Sequence, residues 1–185
     1  MAEIGRRLVH VSGTAAPASY LLGVLTWTQL GWALRFGLLL TLVLEAIRLQ
    51  IGLDWWIYEK LTREYERDNV AGYALYMIGM VVASAFSPAI GVPAMLMLTL
   101  GDPIGGYLGG GGRRKPPVAI AAVFAVCLLV ALPFLPPGVA VLGAAVATAA
   151  DGYQLSISGY VIDDNLTIPI GAALAMFVAA AYLPV

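Results

Sequence analysis

Seven apolar segments, each close to the length of a membrane-spanning helix, restrict the fold of this chain more than any other feature. They cover residues 16–32, 34–53, 70–86, 89–108, 117–135, 138 to about 158, and 168–183. A helix needs about 20 consecutive apolar residues to cross the hydrocarbon core of a bilayer. Charged residues make up only 11% of the chain, against about 25% in soluble proteins. We therefore expect an all-α integral membrane protein in which residues 1–185 form one bundle of about seven transmembrane helices, although Asp151 interrupts the sixth segment.

The charged residues are distributed unevenly around these segments. With a cytoplasmic N-terminus, the connections at 54–69, 109–116 and 159–167 also face the cytoplasm, and they carry these basic residues: Lys60, Arg63, Arg67, Arg113, Arg114 and Lys115. Cytoplasmic loops of membrane proteins are enriched in lysine and arginine. Only Arg35, in the turn between the first two segments, then lies on the opposite side. We expect a multi-pass protein whose N-terminus and functional site face the cytoplasm.

Residues 53–68 have a different pattern, which predicts a helix lying on the cytoplasmic membrane surface. Ile57, Leu61 and Tyr65 are spaced four apart, and charged residues surround the rest of the predicted helix. Such an amphipathic helix buries its apolar face at the headgroup boundary. Residues 1–13 are a second, shorter candidate.

Net charge and cysteine content restrict the partners and sites to be expected. Because the net charge is −1, the chain has no basic excess that would indicate a nucleic-acid partner. The single cysteine, Cys127, lies inside an apolar segment, so neither a disulfide framework nor a thiolate metal site is available.

Glu45 and Arg48 are two charged residues inside the second apolar segment. They are three residues apart, so on a helix they share one face about a turn apart. A charge at the centre of a membrane helix costs about 2.5–3.5 kcal/mol on insertion scales. One interpretation is that Arg48 reaches the headgroups and Glu45 only pairs with it. The other is that both residues belong to a functional site.

A glycine-rich stretch with a basic end follows the fourth segment and suggests a phosphate-binding loop. Its candidate phosphate-binding residues are Gly101, Asp102, Gly105, Gly109, Arg113, Arg114 and Lys115. Glycine lets backbone amides approach a phosphate closely, and the basic residues neutralise its charge. A flexible cytoplasmic loop is the alternative interpretation. Asp102 lies at the end of a span, where an acidic residue normally faces the bundle interior and a ligand or ion.

The stretch Asp163-Asp164-Asn165 stands directly before the last apolar segment. Its carboxylate and amide oxygens are hard ligands of the kind that Mg²⁺ prefers, usually together with substrate phosphates. The alternative is an N-capping loop for the seventh helix, with Pro169 in its first turn. His10 is the only histidine of the chain and is predicted on the same side, so it is a further candidate for the site.

Several motifs occur in the order found in the polyprenol kinase family, which includes dolichol kinases, phytol kinases and CTP-dependent diacylglycerol kinases. The motifs are Arg6-Arg7-Leu8-Val9-His10, Glu45-x-x-Arg48, Arg63-x-x-Glu66 leading to Ala71-Gly72, Leu100-Gly101-Asp102-Pro103, and Asp163-Asp164-Asn165-Leu166-Thr167-Ile168-Pro169. The resemblance covers nearly the whole chain, and the last motif is its most specific part. The chain departs from the family at two places. Family members commonly continue the glycine-rich loop into Lys-Ser, whereas here Pro116 follows Lys115. Family members also often carry a glutamate ahead of the last motif, where this chain has Asp151.

The resemblance implies a membrane enzyme that transfers the γ-phosphoryl group of a nucleotide, typically CTP, to a lipid hydroxyl. It implies Mg²⁺ on Asp102, Asp163 and Asp164. The nucleotide would contact Gly101, Asp102, Gly105, Gly109, Arg113, Arg114 and Lys115. Arg48 and Arg63 would stabilise the charge that develops on the transferred group. Glu45, Glu66 and Asn165 would orient the metal ligands, and the base for the lipid hydroxyl would be His10 or one of the aspartates.

Other functions remain open at this point. A CTP:phosphatidate-type cytidylyltransferase would share Mg²⁺, CTP and the cytoplasmic face, but it would release pyrophosphate. A small membrane transporter would be expected to have repeated halves and charges near the membrane centre, and neither pattern occurs in the sequence. A polyprenol, a shorter isoprenol and a diacylglycerol-like lipid are equally compatible acceptors.

Overall fold

The computed structural model describes residues 8–52, 66, 69–109, 115–153, 155–157 and 160–183, and this part of the chain is predominantly helical. Its helices are α1 (Ala15–Leu21), α2 (Trp27–Ile51), α3 (Gly72–Ser84), α4 (Pro88–Leu96), the π-helical turn π1 (Met97–Gly101), α5 (Asp102–Gly109), α6 (Pro117–Ala131), α7 (Pro137–Gly152) and α8 (Asp164–Tyr182). Residues 8–12 are also helical. Two short strands, β1 (Leu155–Ile157) and β2 (Tyr160–Ile162), pair antiparallel with Ser156 opposite Val161.

Three helical stretches are long and apolar enough to cross a membrane. They are Trp27–Ile51, the continuous run Pro88–Gly109 and Asp164–Tyr182, with 25, 22 and 19 residues. The other apolar helices are shorter: Gly72–Ser84, Pro117–Ala131 and Pro137–Gly152. The predicted helical, apolar architecture is therefore confirmed for the described residues, whereas the predicted surface helix at 53–68 lies outside them, except for Glu66.

The predicted first span, residues 16–32, is wrong. The chain turns after α1 through Gly23, whose φ of 70° suits glycine. Thr26 then begins α2 through a capping box in which its side chain accepts from the Gln29 amide and the Gln29 side chain accepts from the Thr26 amide. Because no proline interrupts the segment, α2 continues through Arg35, which was predicted in a turn.

The predicted sixth span ends earlier than expected. Helix α7 stops at Gly152, and the β1–β2 hairpin occupies the following residues instead of a continued helix. Leu155 pairs with Ile162 at the open end of the hairpin, directly before α8. The hairpin therefore connects the last turn of α7 to the first turn of α8, which lies close to it.

Small residues allow the helices to pack closely. Helix α8 packs against α7 and α3, helix α3 also packs against α2, and α6 packs against α7. A Cβ atom on Gly79 would lie 2.7 Å from the Asn165 carbonyl oxygen, and one on Gly143 would lie 2.5 Å from Met176 Cγ. Close approach at small residues is the usual way for apolar helices to associate where no water drives them together. These contacts hold α8 against α3 at its first turn and against α7 further along the helix.

Candidate functional site

Three aspartate side chains from three separate helices converge at one point. Asp102 is the first residue of α5, Asp151 lies in the last turn of α7, and Asp164 is the first residue of α8. One carboxylate oxygen from each lies within 4.8 Å of the others. Asp151 is buried, and the other two are half-buried. Such a set of hard oxygen atoms suits a divalent cation such as Mg²⁺.

The π1 turn directly precedes Asp102. Pro103 has no N–H, so a regular α-helix would leave the Thr99 carbonyl without its donor, and the wider turn lies just before this point. The Thr99 hydroxyl also contacts the Thr14 hydroxyl, with 3.0 Å between the two oxygens. The turn that positions Asp102 is thus tied to the N-terminal helical residues.

The three carboxylates lie in different electrostatic environments. Asp164 is at the N-terminus of α8, where the helix dipole favours a negative charge, whereas Asp102 lies inside the continuous helical run Pro88–Gly109. Asp151 lies near a helix C-terminus, where the dipole disfavours it. Lys115 compensates for this, because its Nζ lies 2.6 Å from Asp151 Oδ1. The two side chains are 15% and 1% exposed, so the pair is largely shielded from water.

Two glycines of α5 make room for Lys115. A Cβ atom on Gly105 would lie 2.7 Å from Lys115 Nζ and would overlap the Asp151 carboxylate. A Cβ atom on Gly109 would lie 3.1–3.4 Å from the aliphatic carbons of Lys115. Residues four apart share a helix face, so the two glycines together leave the space that the Lys115 side chain occupies.

Three polar atoms near the cluster have no hydrogen-bond partner among the described residues. They are Asp151 Oδ2, His10 Nδ1 and the Tyr76 hydroxyl. His10 Nδ1 lies 3.1 Å from Asp102 Oδ2, which is an ion-pair distance without hydrogen-bond alignment. The His10 ring meets the Tyr76 ring edge-on at 5.0 Å. Buried polar atoms without partners are costly in a folded protein, so they point to a ligand at this place.

Glu45 and Arg48 form a second, adjacent group. Arg48 Nε and Nη2 donate to the two Glu45 oxygens over 3.0 and 2.6 Å, and Nη2 also donates to the Asn69 carbonyl over 2.5 Å. Glu45 further accepts from the Ala71 amide over 2.8 Å and from the Tyr73 hydroxyl. Both side chains are less than a tenth exposed. The pair therefore joins the end of α2 to the start of α3, and the Arg48 guanidinium is buried against Glu45 and the Asn69 carbonyl.

Gly72, at the start of α3, is the meeting point of three further candidates. A Cβ atom there would lie 3.0 Å from Asn165 Nδ2, 3.2 Å from Glu66 Oε1 and 3.6 Å from Asp163 Oδ2. Asp163 is the N-cap of α8, because its Oδ1 accepts from the Asn165 amide over 2.9 Å. Asp163 and Asp164 are consecutive, so this group adjoins the aspartate cluster.

The structure thus distributes the predicted site residues over distinct roles. His10, Asp102, Lys115 and Asp164 come together, whereas Asp163 caps a helix and lies outside the three-carboxylate group. Gly101 packs on α6, with 3.1 Å between its Cβ position and Cys127 Sγ. Gly105 and Gly109 are helical and face Lys115, so they do not form part of a loop. Arg63, Arg113 and Arg114 lie outside the described residues.

Asp151, Tyr73 and Tyr76 are the site residues that the sequence analysis did not select. Asp151 interrupts an apolar segment, and an acidic residue in such a place normally faces a ligand or a partner. That signal was present in the sequence. The two tyrosines have no comparable signal, because tyrosine is common in apolar helices for packing alone.

No protein-family model matches this sequence, and neither a curated protein nor a solved structure is similar to it.

Proposed function

We propose that this chain is an integral membrane lipid-alcohol kinase that uses CTP and Mg²⁺. The observation that carries the proposal is the convergence of Asp102, Asp151 and Asp164 beside Lys115 and His10, at the ends of long apolar helices. Phosphoryl transfer needs a divalent cation, groups that neutralise phosphate charge and a position for the acceptor hydroxyl. The resemblance to the polyprenol kinase family supports the same reaction class.

The three aspartates fit a magnesium ion by their chemistry and by one buried atom. Mg²⁺ is usually held through one or two carboxylates together with substrate phosphates. Asp151 Oδ2 is buried and has no hydrogen-bond partner among the described residues, so it is available as a ligand. When bound, Mg²⁺ would neutralise charge on the phosphates of the nucleotide.

The neighbouring residues would bind the two substrates. Helix α8 begins at the cluster, and helix N-termini favour phosphate groups. His10 and Tyr76 present polar atoms next to Asp102, where a lipid hydroxyl would be oriented by hydrogen bonds. The reaction would convert CTP and the alcohol into CDP, the lipid phosphate and a proton.

The order of the helices supports a membrane arrangement with seven crossings. Residues 8–21, in place of the predicted first span, would cross first. Helices α2 and α3, the run Pro88–Gly109, α6, α7 and α8 would then add six crossings. With a cytoplasmic N-terminus, His10, Arg48, Asp102, Lys115, Asp151 and Asp164 would all lie at the cytoplasmic ends. The exposed apolar side chains of α2, such as Phe36 and Leu40, would face lipid.

The test is incorporation of label from CTP into lipid. The purified protein is incubated with Mg²⁺, a panel of polyprenols, shorter isoprenols, diacylglycerol and phosphatidate, and CTP labelled at either the α- or the γ-phosphate. A kinase transfers only the γ-label to the lipid. Transfer of the α-label to phosphatidate, with release of pyrophosphate, would identify a cytidylyltransferase. The absence of either transfer, with every lipid, would contradict the proposal.

Asp163 and Asp164 provide a matched pair of variants for this assay. Asp164→Asn removes a carboxylate from the cluster and should lower lipid phosphorylation well over tenfold, or more than about 1.4 kcal/mol of transition-state stabilisation. Asp163→Asn keeps an N-cap, because asparagine caps helices as well as aspartate does. We expect it to retain most of the activity. An equal loss of lipid phosphorylation in both variants would contradict the assignment of Asp164, and not Asp163, to the cation site.

A further inference from the structure

Lys115 is bound to the carboxylate that the proposed cation site needs. Its ammonium contacts one oxygen of Asp151 at 2.6 Å, and Asp151 also supplies an oxygen to the three-carboxylate group. The other oxygen of Asp151 is buried without a hydrogen-bond partner among the described residues. An ammonium and a divalent cation would therefore share one carboxylate in a space that is largely closed to water.

The contact between Lys115 and Asp151 is built into the fold. The aliphatic carbons of Lys115 lie against Gly109, and its Nζ lies against Gly105, where any side chain would displace it. Two glycines on one helix face thus hold the ammonium at the cluster. A chance contact between a surface lysine and an aspartate would need no such space on a neighbouring helix.

We propose, building on the cation site of the proposed function, that Lys115 and the divalent cation oppose each other at Asp151. Without the cation, Lys115 offsets part of the mutual repulsion of the three carboxylates. With the cation, two like charges lie close together where water screens them poorly, so the contact between Lys115 and Asp151 weakens. Linkage is reciprocal: if the cation loosens Lys115, then Lys115 lowers the affinity for the cation by the same factor. The released ammonium remains beside the site, where the nucleotide phosphates would bind.

The first test measures Mn²⁺ binding to the purified protein by electron paramagnetic resonance. Lys115→Met keeps most of the side-chain length and removes the charge, so it should bind Mn²⁺ about tenfold more tightly, within the usual range of coupling between sites. Arg35→Met is the matched control, because it removes one positive charge from an exposed position on α2. Its Mn²⁺ affinity should stay within about twofold of the original protein, since α2 contributes no carboxylate to the three-aspartate cluster.

The second test uses the unaltered protein and so does not depend on the folding of a variant. A small amine-acylating reagent is applied with and without saturating Mn²⁺, and modification of Lys115 and Lys60 is measured by mass spectrometry. We expect Mn²⁺ to increase modification of Lys115 several-fold relative to Lys60.

The outcomes separate this inference from the proposed cation site. Mn²⁺ binding with unchanged labelling of Lys115, or with unchanged or weaker affinity in Lys115→Met, would overturn the opposition but leave the site in place. Failure of the original protein to bind Mn²⁺, or binding that Asp164→Asn does not weaken, would overturn the site itself and with it this inference.

Discussion

Replacement of Glu45 and Arg48, singly and together, tests whether they act as one structural unit. Arg48 donates two charge-assisted hydrogen bonds to Glu45, and Glu45 accepts two more from Ala71 and Tyr73. Each hydrogen bond to a charged group contributes about 1.5–3 kcal/mol. Removing one partner of a buried ion pair costs about 3–5 kcal/mol, because the other charge is left uncompensated. We expect Glu45→Gln and Arg48→Gln each to lower the free energy of unfolding by about 4 kcal/mol.

The double variant should be less destabilised than the sum of the single variants. If the two sites were independent, the double variant would lose about 8 kcal/mol of unfolding free energy, whereas groups in one hydrogen-bond network couple by up to about 3 kcal/mol. The Glu45→Gln/Arg48→Gln protein should therefore lose about 5 kcal/mol, since neither unpaired charge is left. Arg48→Lys keeps the positive charge but removes the planar guanidinium group, whose forked N–H donors bond both Glu45 oxygens. Its lipid phosphorylation should fall sharply while its expression stays nearly unchanged.

The assay is reversible unfolding in mixed detergent micelles, followed by tryptophan fluorescence. Arg35→Gln is the control, because Arg35 is an exposed cation on the same helix, and it should change the unfolding free energy by less than about 0.5 kcal/mol. Strict additivity of the two single variants would refute the assignment of Glu45 and Arg48 as one unit. Original turnover in Arg48→Lys would show that the fork is not needed for the reaction.

Three further predictions address the site, the membrane arrangement and the start of α2. Gly105→Ala should weaken Mn²⁺ binding and destabilise the protein by about 1–3 kcal/mol, because the new methyl group would overlap the Asp151 carboxylate. Gly138→Ala, whose Cβ would lie an ordinary 3.4 Å from the nearest side-chain carbon, should leave both unchanged in the same titration and unfolding assays. Reporter tags at the two termini should lie on opposite sides of the membrane, with the N-terminus inside, because the seven crossings proposed above are an odd number; a cytoplasmic C-terminal reporter would contradict this. Thr26→Ala should lower the free energy of unfolding by about 1 kcal/mol through loss of the N-cap, and no change in a thermal unfolding assay would contradict the capping box.

The sequence determined the helical, apolar class of this chain and most of its functional candidates. Runs of apolar residues near the length of a span predict helices directly, because backbone groups in a bilayer must be satisfied within the segment. Glu45 and Arg48 were predicted to share a helix face from their spacing, and they do. Local signals also existed at Thr26 and Gln29, where a capping box begins α2, but the continuous apolar composition across Gly23 concealed the turn.

Only the tertiary structure decided which carboxylates meet. Asp163 and Asp164 are neighbours of the same type, and their different roles depend on the backbone at the start of α8, where one side chain caps the helix and the other extends into the cluster. Asp102 and Asp151 are far apart along the chain. The distance between their side chains is set by the packing of α5, α6 and α7, and the spacing of residues within one helix does not encode that packing. The role of Gly105 also depends on the tertiary structure. Its glycine-rich surroundings suggested a phosphate-binding loop, but Gly105 lies in a helix and leaves space for the Lys115 side chain. Helix spacing is local and can be read from sequence, whereas convergence of side chains depends on packing between helices and has to be observed.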